Sequence, residues 1–162
     1  MNKKIKDGLT KGLLAGYAGG KVTNVNRGGF DGKASHVELE ENATYHDEWF
    51  VPAHNGGGQE LVQVGNEQFT RLYAGGTPTD EQLESLGIKA HDVGIYLVQK
   101  IQELKDKTRL LEDCKPAPDG DWQYEYLITG NYPETEVTTG LESITYKDTV
   151  VHVHAFILSP AK

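Results

Sequence analysis

Gly58-Gln59-Glu60-Leu61-Val62-Gln63-Val64-Gly65-Asn66 and, about half a chain later, Gly140-Leu141-Glu142-Ser143-Ile144-Thr145-Tyr146-Lys147-Asp148 carry one pattern. Each opens Gly-x-Glu, alternates apolar positions, reaches a two-residue turn and runs into a second apolar strand. Tyrosine-rich strands precede both copies, and helical segments precede those. The chain therefore reads as a single domain, residues 1–162, built of two α-β-β-β halves, with an internal repeat over 1–76 and 77–162 as the open question. Only the Gly and the Glu are identical between the two windows.

Working outward, Ile5, Leu9 and Leu13 lie at helical spacing and predict a helix over 2–16, stopped by Gly19-Gly20. Residues 19–35 carry little apolar content and read as a long loop. His36–Glu41 and Thr44–Val51 read as strands, with Glu41-Asn42-Ala43 at their turn. Thr77 caps a short helix with Pro78 in its first position. Val93, Tyr96, Leu97, Lys100, Ile101 and Leu104 predict a longer helix over about 90–110. Three strands close the chain: Trp122–Thr129, Gly140–Tyr146 and Thr149–Leu158. No β-α-β alternation occurs, so the expected class is α+β. We expect a largely antiparallel, curved sheet of about six strands, with a groove on one face and helices on the other.

The Gly65-Asn66 turn sets Val64 against Glu67, Val62 against Phe69 and Glu60 against Arg71. Glu60 and Arg71 then fall on the core face as a charge-assisted pair at the sheet rim. The same register in the second hairpin sets Glu142 against Val153 with no base to answer it. Glu142 must find a partner from elsewhere or be pushed up by desolvation. Tyr45, Asp47 and Trp49 share a strand face, as do Trp122, Tyr124 and Tyr126; aromatic walls with a carboxylate suit a cationic or planar small molecule. In that register His152 and His154 point away from the core, and no metal site is expected. A turn one residue longer would join them to Glu142 as a His-His-Glu set. Gly56-Gly57-Gly58 lacks the lysine of a phosphate loop, and Cys114 beside Asp113 is a poor thiolate.

A formal charge of −8 over 162 residues argues against nucleic-acid binding. Lys3, Lys4, Lys6 and Lys11 read as a solvated helix face. One cysteine permits no internal disulfide and points to a reducing compartment, and no apolar run is long enough for a membrane span. The expected setting is cytoplasmic, with no nucleic-acid or membrane partner, no cofactor, and a homodimer allowed.

Tyr17-Ala18-Gly19-Gly20, Tyr45-x-Asp47-x-Trp49-Phe50, Gly58-Gln59-Glu60-x-Val62 and Tyr73-Ala74-Gly75-Gly76 resemble a bacterial domain family of unknown function. Asp119-Gly120-Asp121-x-x-Tyr124 and Gly140-x-Glu142-x-Ile144-x-Tyr146 continue the resemblance. That family is often found behind Xre-type helix-turn-helix domains, which implies a ligand-sensing or oligomerising role; the four or five helices of such a domain are not present in this chain. The functional expectation is a non-catalytic small-molecule binding domain. Its groove would contain Tyr45, Asp47, Trp49, Glu60, Arg71, Tyr73, Tyr126 and Glu142. Two rivals stand beside it. One is an enzyme using Glu60 and Glu142 for acid–base work. The other is an interaction module presenting the aromatics as an exposed patch.

Overall fold

A computed structural model describes residues 1–40, 42–51 and 53–161. Glu41, expected in the first turn, lies outside the described residues. The first helix, α1 (Lys3–Ala15), starts where the Asn2 side chain accepts the Ile5 amide at 3.0 Å. It buries Ile5, Leu9 and Leu13 on one stripe. Gly8 and Gly12 lie on that stripe too, and the helix approaches the sheet so closely that a Cβ on Gly12 would overlap the Tyr45 ring.

The segment expected as a loop over 19–35 is instead a hairpin, β1 (Thr23–Arg27) and the start of β2 (Phe30–Leu39). Gly28 and Gly29 both take positive φ, 60° and 91°, the geometry a two-residue hairpin turn needs. The arm is exposed and polar, so apolar alternation was never available to mark it. Then follow β3 (Ala43–Phe50), β4 (Asn55–Val64) and β5 (Glu67–Gly76). Two helices, α2 (Asp80–Ser85) and α3 (Ala90–Leu104), lead to β6 (Trp122–Tyr132), β7 (Val137–Tyr146) and β8 (Thr149–Pro160). Thr79, not Thr77, caps α2: it exchanges hydrogen bonds with Gln82 in a capping box.

Among the described residues the result is an α+β fold with one antiparallel sheet of eight strands, where about six were expected, in the order β1-β2-β3-β4-β5-β8-β7-β6. Two meanders meet where their last strands, β5 and β8, pair along Phe69–Gly76. The first hairpin keeps the predicted register, with Val64↔Glu67, Val62↔Phe69 and Glu60↔Arg71. The second does not. Lys147 and Asp148 make a tight turn with positive φ, but β8 then inserts one residue between Thr145↔Val150 and Ile144↔His152. Val151 is the extra residue, so His154, not Val153, lies opposite Glu142. Both histidines turn to the core face.

Helices and groove share a face, contrary to the expectation that they would lie on opposite ones. Leu13 of α1 and Val93 and Leu97 of α3 border the same space as Asp47 and Tyr73. On the other face Leu61, Leu72, Leu141 and Ile157 are partly exposed. The aromatic side chains Tyr45, Tyr124 and Tyr126 are fully buried, so they form no surface patch.

Replacing a helix-interior glycine by alanine gains about 1 kcal/mol of propensity. At Gly12 the overlap with Tyr45 outweighs that gain. Gly12→Ala is expected to lower stability by a net of about 1–3 kcal/mol in urea unfolding, the usual cost of overpacking.

Candidate functional site

Strand alternation brings Asp47, Glu60 and Arg71 into one row on the core face, from β3 through β4 to β5. Arg71 donates to Glu60 from Nε and, at 2.7 Å, from Nη2. Its Nη1 reaches the Arg109 carbonyl at 2.6 Å. Tyr45 Oη completes the shell, donating to Glu60 at 2.6 Å. Glu60 and Arg71 are each 1 % exposed, so the pair is interior and not at the rim. Burial alone would raise Glu60, but the Arg71 guanidinium holds it below the usual carboxylate range.

A second buried pair lies on the far side of the β5–β8 seam. Arg109 grips Glu142 through Nε to Oε1 at 2.7 Å and Nη2 to Oε2 at 2.6 Å, a bidentate fork. Tyr124 Oη donates to Oε1 at 2.5 Å. Burial opposes the Glu142 charge, and the Arg109 guanidinium overrides it, holding this acid well below its ordinary value. Glu142 thus takes the partner-from-elsewhere alternative. The predicted helix over 90–110 hides that partner: α3 stops at Leu104, Lys105 turns with φ 52°, and Arg109 at φ 57° swings inward. No spacing in the sequence marks Arg109; the single clue is that Glu142 needed a base.

Tyr45 stands to Glu60 as Tyr124 stands to Glu142, on the neighbouring strand and one pair diagonal. The two shared glycines also have a packing reason. A Cβ on Gly58 would crowd the Tyr73 hydroxyl, and one on Gly140 would strike the Tyr126 ring.

Above the carboxylates lies a cavity of about 220 Å³. Of the residues expected in the groove, Asp47, Trp49, Glu60 and Tyr73 line it. Tyr45, Arg71, Tyr126 and Glu142 do not: they are fully buried and support the lining from behind. Tyr126, for example, donates to the Leu110 carbonyl at 2.9 Å and so anchors the Arg109 loop. Absent from the expected groove but present in the wall are Tyr17, His54, Arg109, His152 and His154, with Ala90, Val93, Gly94 and Leu97 of α3. Tyr17 meets Trp49 edge to face at 5.6 Å.

Asp47 is the unusual acid. Desolvation and the negative Glu60 opposite push it up to about 8, against a Tyr73 hydrogen bond of 2.9 Å and the more distant Arg71 and Arg109. His154 moves the other way, pulled down by burial. His152 Nε2 and His154 Nδ1 stand 3.5 and 3.7 Å from Glu142 Oε2, too far for good hydrogen bonds. Among the described residues neither nitrogen has a hydrogen-bond partner.

Comparisons of the chain with models of protein families, with curated proteins and with solved structures return no match. Among the described residues no helix is long and apolar enough to cross a membrane.

Two outcomes follow from these charges. Glu60→Gln leaves a buried guanidinium uncompensated and is expected to cost about 3–5 kcal/mol in denaturant unfolding. For Asp47 the unfolded acid ionises near pH 4 while the folded acid keeps its proton to about 8. Its contribution is complete below about pH 4 and is lost as pH climbs towards 8. Asp47→Asn should flatten that decline when urea stability is measured at several pH values; an unchanged slope would assign the decline to other groups.

Proposed function

We propose that the chain is a binding domain for a small planar molecule with a hydrogen-bond-accepting head, held in the cavity between the sheet and α3. The observation that carries this reading is the composition of the cavity wall. Trp49, Tyr17, Leu13, Val93 and Leu97 offer flat and apolar contact, while Asp47, Tyr73, Arg109 and the two histidines offer a few convergent polar groups. Near neutral pH Asp47 carries its proton, and the Arg109 guanidinium is balanced by Glu142, so the polar part of the wall carries no unpaired carboxylate. This favours a neutral, hydrogen-bond-accepting head over a cationic one. The small volume restricts the ligand to the size of a metabolite or signal molecule. A sensing role also accords with the resemblance to domains found behind helix-turn-helix modules, and a cytosolic setting accords with the single cysteine. The matched tyrosine–glutamate diagonals support descent of the two halves from one duplicated unit.

A second reading has its own support. The acid–base rival needs two carboxyls with separated affinities for the proton. Glu142, ionised and gripped by Arg109, is unsuited to the role it was expected to fill. Asp47 and Glu60, directly opposed on β3 and β4, provide the split instead, one raised and one lowered. Asp47 would then be the proton carrier.

Gly94 offers a clean test of the cavity. A Cβ there meets nothing within 4 Å, so the Gly94→Leu side chain starts in open space at the wall. The variant should match or exceed the wild type in thermal stability and lose binding at least about tenfold, which corresponds to about 1.4 kcal/mol. Native mass spectrometry of the purified protein, followed by intrinsic tryptophan fluorescence with the ligand so identified, reads both effects. Unchanged affinity in Gly94→Leu would place the ligand elsewhere, and turnover lost in Asp47→Asn with binding retained would favour the acid–base reading.

A further inference from the structure

The inserted residue Val151 has a chemical effect beyond packing. Because of it, His152 and His154 lie on the core face together, with ring centroids 4.3 Å apart, and His154 pairs directly with Glu142 across β7 and β8. Their donor atoms and a Glu142 carboxylate oxygen all lie within 4.8 Å of one another. Donors around one transition-metal ion at bond lengths of about 2.0–2.2 Å sit about 3–3.5 Å apart. The two imidazole–carboxylate separations, 3.5 and 3.7 Å, are already close to that range, so side-chain rotations of under about an ångström close the set.

Three further observations point to a ligand. Buried polar atoms without a partner are uncommon, yet His152 Nε2 and His154 Nδ1 both lack one among the described residues and both face the same oxygen. His152 is 5 % exposed, so bulk water does not serve it. Glu142 Oε2 receives the Arg109 Nη2 bond on one lone pair, and a carboxylate oxygen has a second. Arg109 then acts as the outer partner that orients a metal-binding carboxylate. Both histidines line the cavity, so coordination positions not filled by protein open into it.

We propose that Glu142, His152 and His154 form a three-residue site for a divalent transition-metal ion at the floor of the cavity. Two imidazoles and one carboxylate suit zinc, iron, cobalt or nickel better than magnesium or calcium, which prefer all-oxygen shells. Three protein ligands with open positions are the arrangement of a reactive centre and not of a closed structural one. The site stands independently of any organic ligand, and its test uses none.

Tag-free protein is treated with a chelator, then titrated with Co²⁺ and Zn²⁺ by calorimetry, with visible absorption recorded for the cobalt form. The expected result is one equivalent bound with micromolar affinity or tighter, with ligand-field bands typical of nitrogen and oxygen donors. His152→Ala and His154→Ala, checked for folding by circular dichroism, should each weaken binding by at least about 100-fold, the upper limit for loss of a merely supporting contact. The control His36→Ala, at an exposed histidine near His46, should leave binding unchanged. Failure of the folded wild type to bind either ion overturns the proposal. So does binding that survives His152→Ala and His154→Ala, which would assign the ion to surface histidines.

Discussion

The buried contact between Glu60 and Arg71 is the interaction on which the rest of the structure depends. Arg71 uses one side of its guanidinium to hold Glu60 and its Nη1 to hold the Arg109 carbonyl. That carbonyl belongs to the residue whose own side chain neutralises Glu142. One arginine therefore fixes the loop that delivers the other. Through this relay the charges of the two meanders are balanced across the β5–β8 seam. Such pairs add little net stability relative to well-packed apolar groups, because both ions have left water. Their value here is positional: they set where Asp47, Arg109 and the histidines stand around the cavity.

Asp47 shows how that placement becomes chemistry. Burial by itself disfavours the Asp47 carboxylate, and Glu60 opposite it, kept ionised by Arg71, adds to that penalty. Asp47 therefore keeps its proton to about pH 8. Arg71 does not line the cavity and acts on Asp47 in two opposed ways: its own charge lowers the acid, while the Glu60 it keeps ionised raises it. Tyr73, leaning over Gly58, then donates a close hydrogen bond to Asp47.

Much of the architecture was legible in the sequence, and the failures have physical causes. The first hairpin was read in register because Gly65-Asn66 is a two-residue turn flanked by regular alternation. The second departs from the register its alternation predicts because a bulge leaves no compositional trace: Val150 and Val151 are equally suited to a strand, and only one of them is in step with β7. The β1–β2 arm is hidden in the sequence because its faces are both polar, although Gly28-Gly29 is a turn signal. At the site, strand alternation correctly placed Asp47, Trp49, Glu60 and Tyr73 together. It placed Tyr45, Arg71, Tyr126 and Glu142 on the correct face but could not tell lining from support, which depends on side-chain length and on what covers the sheet. Arg109 lay beyond any periodic argument, since two left-handed residues bring it inward.

The seam between β5 and β8 also has a consequence in time. Within each meander every pairing joins neighbours in sequence, so the two can form early and locally. The seam instead joins residues near 70 to residues near 158, and contacts that distant in sequence are slow to form because a long loop must close first. Asp47 and Tyr73 stand on one side of it, His152, His154 and Glu142 on the other. Neither meander holds the complete cavity, so its wall is expected to come together only when the seam closes.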